Sequence, residues 1–82
     1  MVDEVLDARG LNCPLPILKT KKSLNLLGSG KILEVIATDP NSEKDFKAFC
    51  DSTLHELVNF TQEGEEYRFI ILCKNKLKLL KN

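Results

Sequence analysis

The run Lys31-Ile32-Leu33-Glu34-Val35-Ile36-Ala37-Thr38 constrains the fold of this chain more than any other stretch. It is rich in β-branched residues and bounded by turn formers, Gly28-Ser29-Gly30 before it and Asp39-Pro40 after it, which predicts a strand. The segments on either side read as helices. From Pro14 to Leu27, Ile17, Thr20, Leu24 and Leu27 recur at helical spacing while Lys19, Lys21 and Lys22 can face water. After the strand, Asp39-Pro40 reads as an N-cap followed by proline at the first helical position. The second helix is expected to run to about Leu57 on an apolar face of Phe46, Phe49, Cys50, Thr53 and Leu57.

Glu4-Val5-Leu6-Asp7-Ala8 supplies a short strand ahead of the first helix, and Gly10 permits the sharp turn between them. Val58 to Gln62 reads as a weaker strand, Glu63-Gly64-Glu65 as a tight connection, and Glu66 to Lys74 as a final, largely apolar strand. The order is strand, helix, strand, helix, strand, strand. A crossover through a helix makes the first two strands parallel, and a short turn at Gly64 makes the last two antiparallel. The expected architecture is α+β, a mixed four-stranded sheet with two helices on one face.

The chain has 82 residues, enough for a single domain spanning 1–82. Twelve basic and twelve acidic side chains balance, so nothing in the overall charge calls for nucleic acid or a membrane. The distribution is uneven: residues 31–68 carry nine acids against four bases, whereas 69–82 carry Lys74, Lys76, Lys78 and Lys81 and no acid. That end reads as a solvated face, with a basic docking edge as the sharper alternative. No apolar run is long enough to span a bilayer, and no signal peptide is recognisable. Three widely spaced cysteines make a poor disulfide framework, so a reducing cytoplasm is the expected compartment.

The chemistry centres on Gly10-Leu11-Asn12-Cys13-Pro14-Leu15-Pro16. Cys13 falls at or beside the N-cap of the first helix, where unpaired N–H groups and the helix dipole favour thiolate over thiol. A lowered pKa is therefore expected. Pro14 and Pro16 pre-set the first turn and stiffen the loop, but they also remove two donors, leaving the N–H groups of Leu15 and Ile17 as the nearest free ones. A cysteine hydrolase needs a nearby histidine, and His55, the only one, belongs near the end of the second helix. A dithiol oxidoreductase needs Cys-x-x-Cys, and the fourth position here is Pro16. What remains is a positioned sulfur without a local partner, suited to accepting a group and handing it to another thiol.

Cys50, on the apolar helical face, and Cys73, in the last strand, read as core residues. Cys13, Cys50, Cys73 and His55 lack metal-ligand spacing, and no cofactor is called for. His55 reads as a helix-end packing residue. Asp39 reads as a cap and Asp45 as solvated; if either approached Cys13 it would oppose thiolate formation, and Arg9 could offset it.

The stretches "LDARGLNCPLPILKTKKSL", "LEVIATDPNSEKDFKAFC" and "HEL" resemble the TusA/SirA/YedF-like sulfur-carrier family across roughly residues 5–74. The Cys-Pro-x-Pro element with Leu6-Asp7-Ala8 ahead and Asp39-Pro40 behind carries the resemblance as a set. It implies a two-layer α/β sandwich of βαβαββ order and a persulfide on Cys13. The sulfur would come from a cysteine desulfurase or rhodanese-like donor and go to a relay protein, for example toward tRNA thiolation, molybdenum cofactor or dissimilatory sulfur pathways. Pro14, Pro16, Asp39, Asp45 and Cys50 match recurrent family positions. Leu54 replaces a glycine common before the histidine, and Leu15 replaces an acidic residue found in some carriers. Leu11, Leu15 and Arg9 are the expected docking rim for partners. The competing readings are a protein-interaction or regulatory module with a structural cysteine, and RNA binding, for which no aromatic platform interleaved with basic residues is visible.

Overall fold

A computed structural model of the chain describes residues 2–74. Its elements are β1 (Glu4–Ala8), α1 (Leu15–Leu27), β2 (Ile32–Ala37), α2 (Ser42–Asp51), β3 (Glu56–Glu63) and β4 (Glu66–Leu72). The sheet order is β1-β2-β4-β3. β1 and β2 are parallel, Leu6 opposite Val35 and Ala8 opposite Ala37; β4 runs antiparallel to both β2 and β3. The mixed α+β architecture expected from the sequence is the one observed.

Alternation along the strands decides which face is covered. Leu33, Val35 and Ala37 of β2 line up with Leu6 and Ala8 of β1 and with Phe69 and Ile71 of β4 on one side of the pleat. Leu24 of α1 and Phe46 and Cys50 of α2 close the core over that side. The α1 helix lies against β1 and β2, α2 against β3 and β4, and the helices touch each other. The centre is a stack of Phe46 on Phe69, ring centroids 4.3 Å apart and both rings fully buried. Phe60 adds a tilted ring at 5.2 Å from Phe69. A β-bulge between Leu57 and Asn59 lets Leu57 and Phe60 both face the core although they are three residues apart, and leaves Val58 exposed.

On the opposite face an ion-pair network spans three strands. Arg68 pairs with Glu34 at 2.9 Å and with Glu66 at 3.6 Å, and Arg9 pairs with Asp7 at 2.9 Å and with Glu66 at 3.3 Å. Ile36, flanked in the sheet by Asp7 and Arg68, is buried there. The aliphatic stems of long charged side chains can cover such a residue while their heads stay wet.

Several boundaries differ from the expectation. The second helix ends at Asp51, not Leu57. Ser52 Oγ donates to Phe49 O at 3.1 Å, Thr53 Oγ1 to Phe49 O at 3.0 Å, and the Thr53 N–H to Cys50 O at 3.3 Å, so hydroxyl groups satisfy the last carbonyls and stop the helix. Leu57 reaches the core from β3, opposite Ile71. The helix also starts later, at Ser42 with Asn41 as N-cap, so Pro40 sits in the preceding turn and not at the first helical position. The last strand ends at Leu72, although the Cys73 N–H still donates to Lys31 O at 2.8 Å. Of the lysine-rich end, Lys74 pairs with Glu56 at 3.4 Å; Lys76, Lys78 and Lys81 lie outside the described residues.

Candidate functional site

Parallel pairing of β1 and β2 brings their C-terminal ends to one edge of the sheet, and both helices begin there. Ala8-Arg9-Gly10-Leu11 forms a turn closed by the Leu11 N–H on Ala8 O at 3.3 Å, with Gly10 at φ 82°, a conformation that disfavours any side chain. The Gly10 N–H donates to Thr38 Oγ1 at 2.9 Å, tying the loop to the end of β2. Sequence reasoning missed Thr38; a hydroxyl directly after a strand and before Asp39-Pro40 was the available signal.

Asp39 is the centre of the edge. It is 7 % exposed, and its Oδ2 accepts the Cys13 N–H at 2.8 Å while Oδ1 accepts the Asn41 N–H at 3.1 Å. Its carbonyl accepts the Ser42 N–H at 2.9 Å, closing the turn with Pro40 at its second position. The residue expected to cap the second helix instead fixes the backbone at Cys13 and the turn ahead of α2. Replacing Asp39 with alanine should orphan two N–H groups in a half-closed site and cost about 1–3 kcal/mol. Urea unfolding would show this as a lower midpoint at unchanged slope. Asp39→Asn, which keeps an acceptor oxygen, should lose less.

Cys13 itself is exposed, and the peptide bond joining it to Pro14 is cis. Pro14 is the N-cap of α1 and Pro16 lies buried in its first turn. Cys13 therefore stands one residue outside the helix. Of the two donors expected to serve its sulfur, the Leu15 N–H is taken by Asn12 O at 2.9 Å. The expected fall in the Cys13 pKa is corrected: its pKa lies above the ordinary value for a free thiol. The first cause is a hydrogen bond from the thiol to the Asp45 carboxylate, followed by partial desolvation and the negative charges of Asp45 and Asp39. Arg9 does not offset them, because its guanidinium is engaged by Asp7 and Glu66. Those partners push the Arg9 pKa up, and the hydrogen bonds from Arg9 bring Asp7 down to about 2.

The expected docking rim is divided. Leu15 is exposed beside Cys13, Leu11 is partly buried against the core, and Arg9 belongs to the ion-pair network. The remaining candidates lie at the opposite edge. His55 follows α2, stacks on Phe49 at 6.0 Å and accepts the Lys74 N–H on Nδ1 at 3.1 Å; burial lowers its pKa. Open clefts of about 420 and 360 Å3 both include His55 in their walls and neither includes Cys13.

Cys73 is fully buried with Sγ 3.3 Å from Leu24 O, and Cys50 is 8 % exposed with its thiol pushed up to about 11 by burial. Native-state alkylation should therefore modify Cys13 first and leave Cys50 and Cys73 to react on unfolding. Cys50 also sets an alkaline signature. The folded state keeps its proton beyond the ordinary value of 9.0, so this contribution to stability is complete below pH 9 and lost as pH rises toward 11. Cys50→Ala should flatten that part of the stability profile.

Comparisons with known proteins bear on the family and the fold. A family profile described as sulfurtransferase TusA matches residues 4–72. The chain is 56% identical over 69 residues to the sulfur carrier protein TusA of Allochromatium vinosum, covering 84% of this chain and 91% of that one. It is 51% identical over 69 residues to the putative sulfur carrier protein YrkI of Bacillus subtilis, covering 84% and 92%. The crystal structure of a SirA-like protein from Desulfitobacterium hafniense superposes with a TM-score of 0.75 at 19% identity, covering 88% of this chain and 99% of that one, which shows a shared fold. With a family match that spans every strand and helix described and relatives above half identity, this chain belongs to the sulfurtransferase TusA family.

Proposed function

We propose that this protein is a sulfur carrier that holds sulfane sulfur as a persulfide on Cys13 and passes it to a partner protein. One observation carries the reading: of the three cysteines, Cys13 alone is exposed, and it stands on a loop pinned by Asp39 at the sheet edge. The sulfur-carrier names of the similar relatives support it.

The transfer balances without a metal or an outside oxidant. The Cys13 thiolate attacks the outer sulfur of a donor persulfide; the new S–S bond forms as the old one breaks, and the donor leaves as thiolate. Handing the sulfur on repeats the step with Cys13 as leaving group. The donor is a cysteine desulfurase or rhodanese-like protein, the acceptor a relay cysteine, and the setting the cytoplasm. Pro14, Pro16, Gly10 and Asp39 position the sulfur, Pro40 shapes the turn that presents Asp39, and Leu11 and Leu15 meet the partner.

Onward transfer is the property to measure. Persulfide-loaded protein mixed with a relay protein bearing one reactive cysteine should lose its extra sulfur as the acceptor gains it. Retention of the sulfur on Cys13 with every acceptor tried would contradict a carrier role. A tRNA-thiolation pathway is tested separately, by the loss of 2-thiouridine from tRNA when the gene is deleted.

A further inference from the structure

Just past β2, two consecutive residues hold the loop that carries Cys13. Thr38 Oγ1 accepts the Gly10 N–H at 2.9 Å, and Asp39 Oδ2 accepts the Cys13 N–H at 2.8 Å. Other N–H groups of the loop find acceptors within three residues along the chain: Arg9 on Asp7 Oδ1 at 3.1 Å, Leu11 on Ala8 O at 3.3 Å and Leu15 on Asn12 O at 2.9 Å. Those local bonds shape the loop. The bonds from Gly10 and Cys13 fix it against the sheet, because they bridge 28 and 26 residues of sequence.

The two acceptors sit differently. Asp39 is buried, and its second oxygen holds the Asn41 N–H at 3.1 Å, so the turn ahead of α2 fixes it. Thr38 is half-buried and follows Ala37, the last residue of β2, which is paired with Ala8 at the end of β1. Gly10 lies two residues past Ala8 at φ 82°, which aims its N–H in a direction that few other residues allow. The Thr38 hydroxyl is the acceptor it meets, on a β-branched side chain with restricted rotamers.

We infer that Thr38 is a positioning residue for Cys13: by holding the Gly10 N–H it keeps the loop where Asp39 can grip the Cys13 N–H, so that the exposed sulfur is presented to a protein partner in one fixed direction. The inference rests on the carrier reading and adds a residue to it. Gly10 and Cys13 are three residues apart, so freeing one end of this short segment loosens the other. A partner must then order the loop as it docks, and that cost slows transfer. A small reagent needs only an exposed thiol and meets no such cost.

Thr38→Val keeps the β-branched shape and removes the acceptor; Thr38→Ser keeps the acceptor and removes the methyl group. Thr38→Ala is a second acceptor-free variant, should valine disturb the end of the strand, and circular dichroism checks that each is folded. Amide hydrogen exchange, read residue by residue by NMR, tests the clamp without sulfur. In Thr38→Val the Cys13 amide should exchange about threefold to tenfold faster than in the parent, while the Val35 and Phe69 amides at the centre of the sheet keep their protection. Labelled sulfur from a cysteine desulfurase should reach Cys13 about threefold to tenfold more slowly in that variant, with the iodoacetamide rate within about twofold of the parent's. Thr38→Ser should match the parent in exchange and in transfer.

Unchanged Cys13 amide exchange in the acceptor-free variants, or unchanged sulfur transfer, would overturn the inference. So would a Thr38→Ser variant as impaired as Thr38→Val, which would assign the effect to the methyl group. A fall in iodoacetamide reactivity equal to the fall in transfer would overturn it too, by tracing the loss to the thiol itself. If the parent takes up no sulfur, the carrier reading fails while amide exchange still decides whether Thr38 positions Cys13, so the two failures are told apart.

Discussion

Cys13→Ser is expected to abolish sulfur loading while leaving the fold in place. The thiol is exposed, and the residue is held to Asp39 through its backbone N–H, a bond that serine keeps. A serine hydroxyl is close in shape but far too weakly acidic to give a comparable nucleophile near neutral pH, so loading should fall to below about one part in a hundred of the parent's. Loading is followed by labelled sulfur transferred from a cysteine desulfurase, and folding by circular dichroism with thermal melting. The contrast with Cys50→Ala is informative. That variant should load like the parent, because Cys50 packs in the core with Phe46 and its thiol is held protonated to about pH 11. Label retained in the serine variant would move the site away from Cys13.

The largest expected loss of stability comes from Phe46→Ala. Phe46 is fully buried, stacked on Phe69, and joins α2 to the centre of the sheet. Truncation removes the transfer free energy of the ring and leaves a cavity, together about 3–5 kcal/mol. A domain of this size buries a limited core and has a few kcal/mol to spare. At about 4–8 °C per kcal/mol, the melting temperature should fall by more than about 12 °C. Leu26→Ala, at a side chain 79% exposed on α1, should change stability by less than about 0.5 kcal/mol. A similar small change for Phe46 would mean that the ring stack does not organise the core.

The elements most legible in the sequence were those closed by residues with a backbone reason to be there. Gly10 at positive φ and prolines in the first turn fixed where β1 gives way to α1, and Gly28 ended that helix. Boundaries set by side-chain competition were less legible. Phe46, Phe49, Thr53 and Leu57 continue a helical period, but the Ser52 and Thr53 hydroxyls capture the last carbonyls and end α2 first. The bulge at Val58 breaks the two-residue alternation that would have marked β3 more strongly.

The site shows the same division. That Cys13 and Asp39 share an edge follows from parallel pairing, and the sequence implied it. That Asp39 grips the Cys13 N–H instead of capping α2 depends on where the chain turns after Pro40, which local patterns do not encode. The sign of the Cys13 pKa shift was lost for a related reason. A helix start favours thiolate, but the Leu15 N–H is already spent on Asn12 and Asp45 arrives from another element, so the carboxylates win.

The carrier account turns on whether Cys13 holds sulfane sulfur, and intact mass measures that directly. After incubation with a cysteine desulfurase and cysteine, or with a rhodanese and thiosulfate, the protein should gain one sulfur atom. Peptide mapping should place it on Cys13, and dithiothreitol should remove it. Sulfur found on Cys50 or Cys73, or no gain with either donor while Cys13 alkylates freely, would contradict the account.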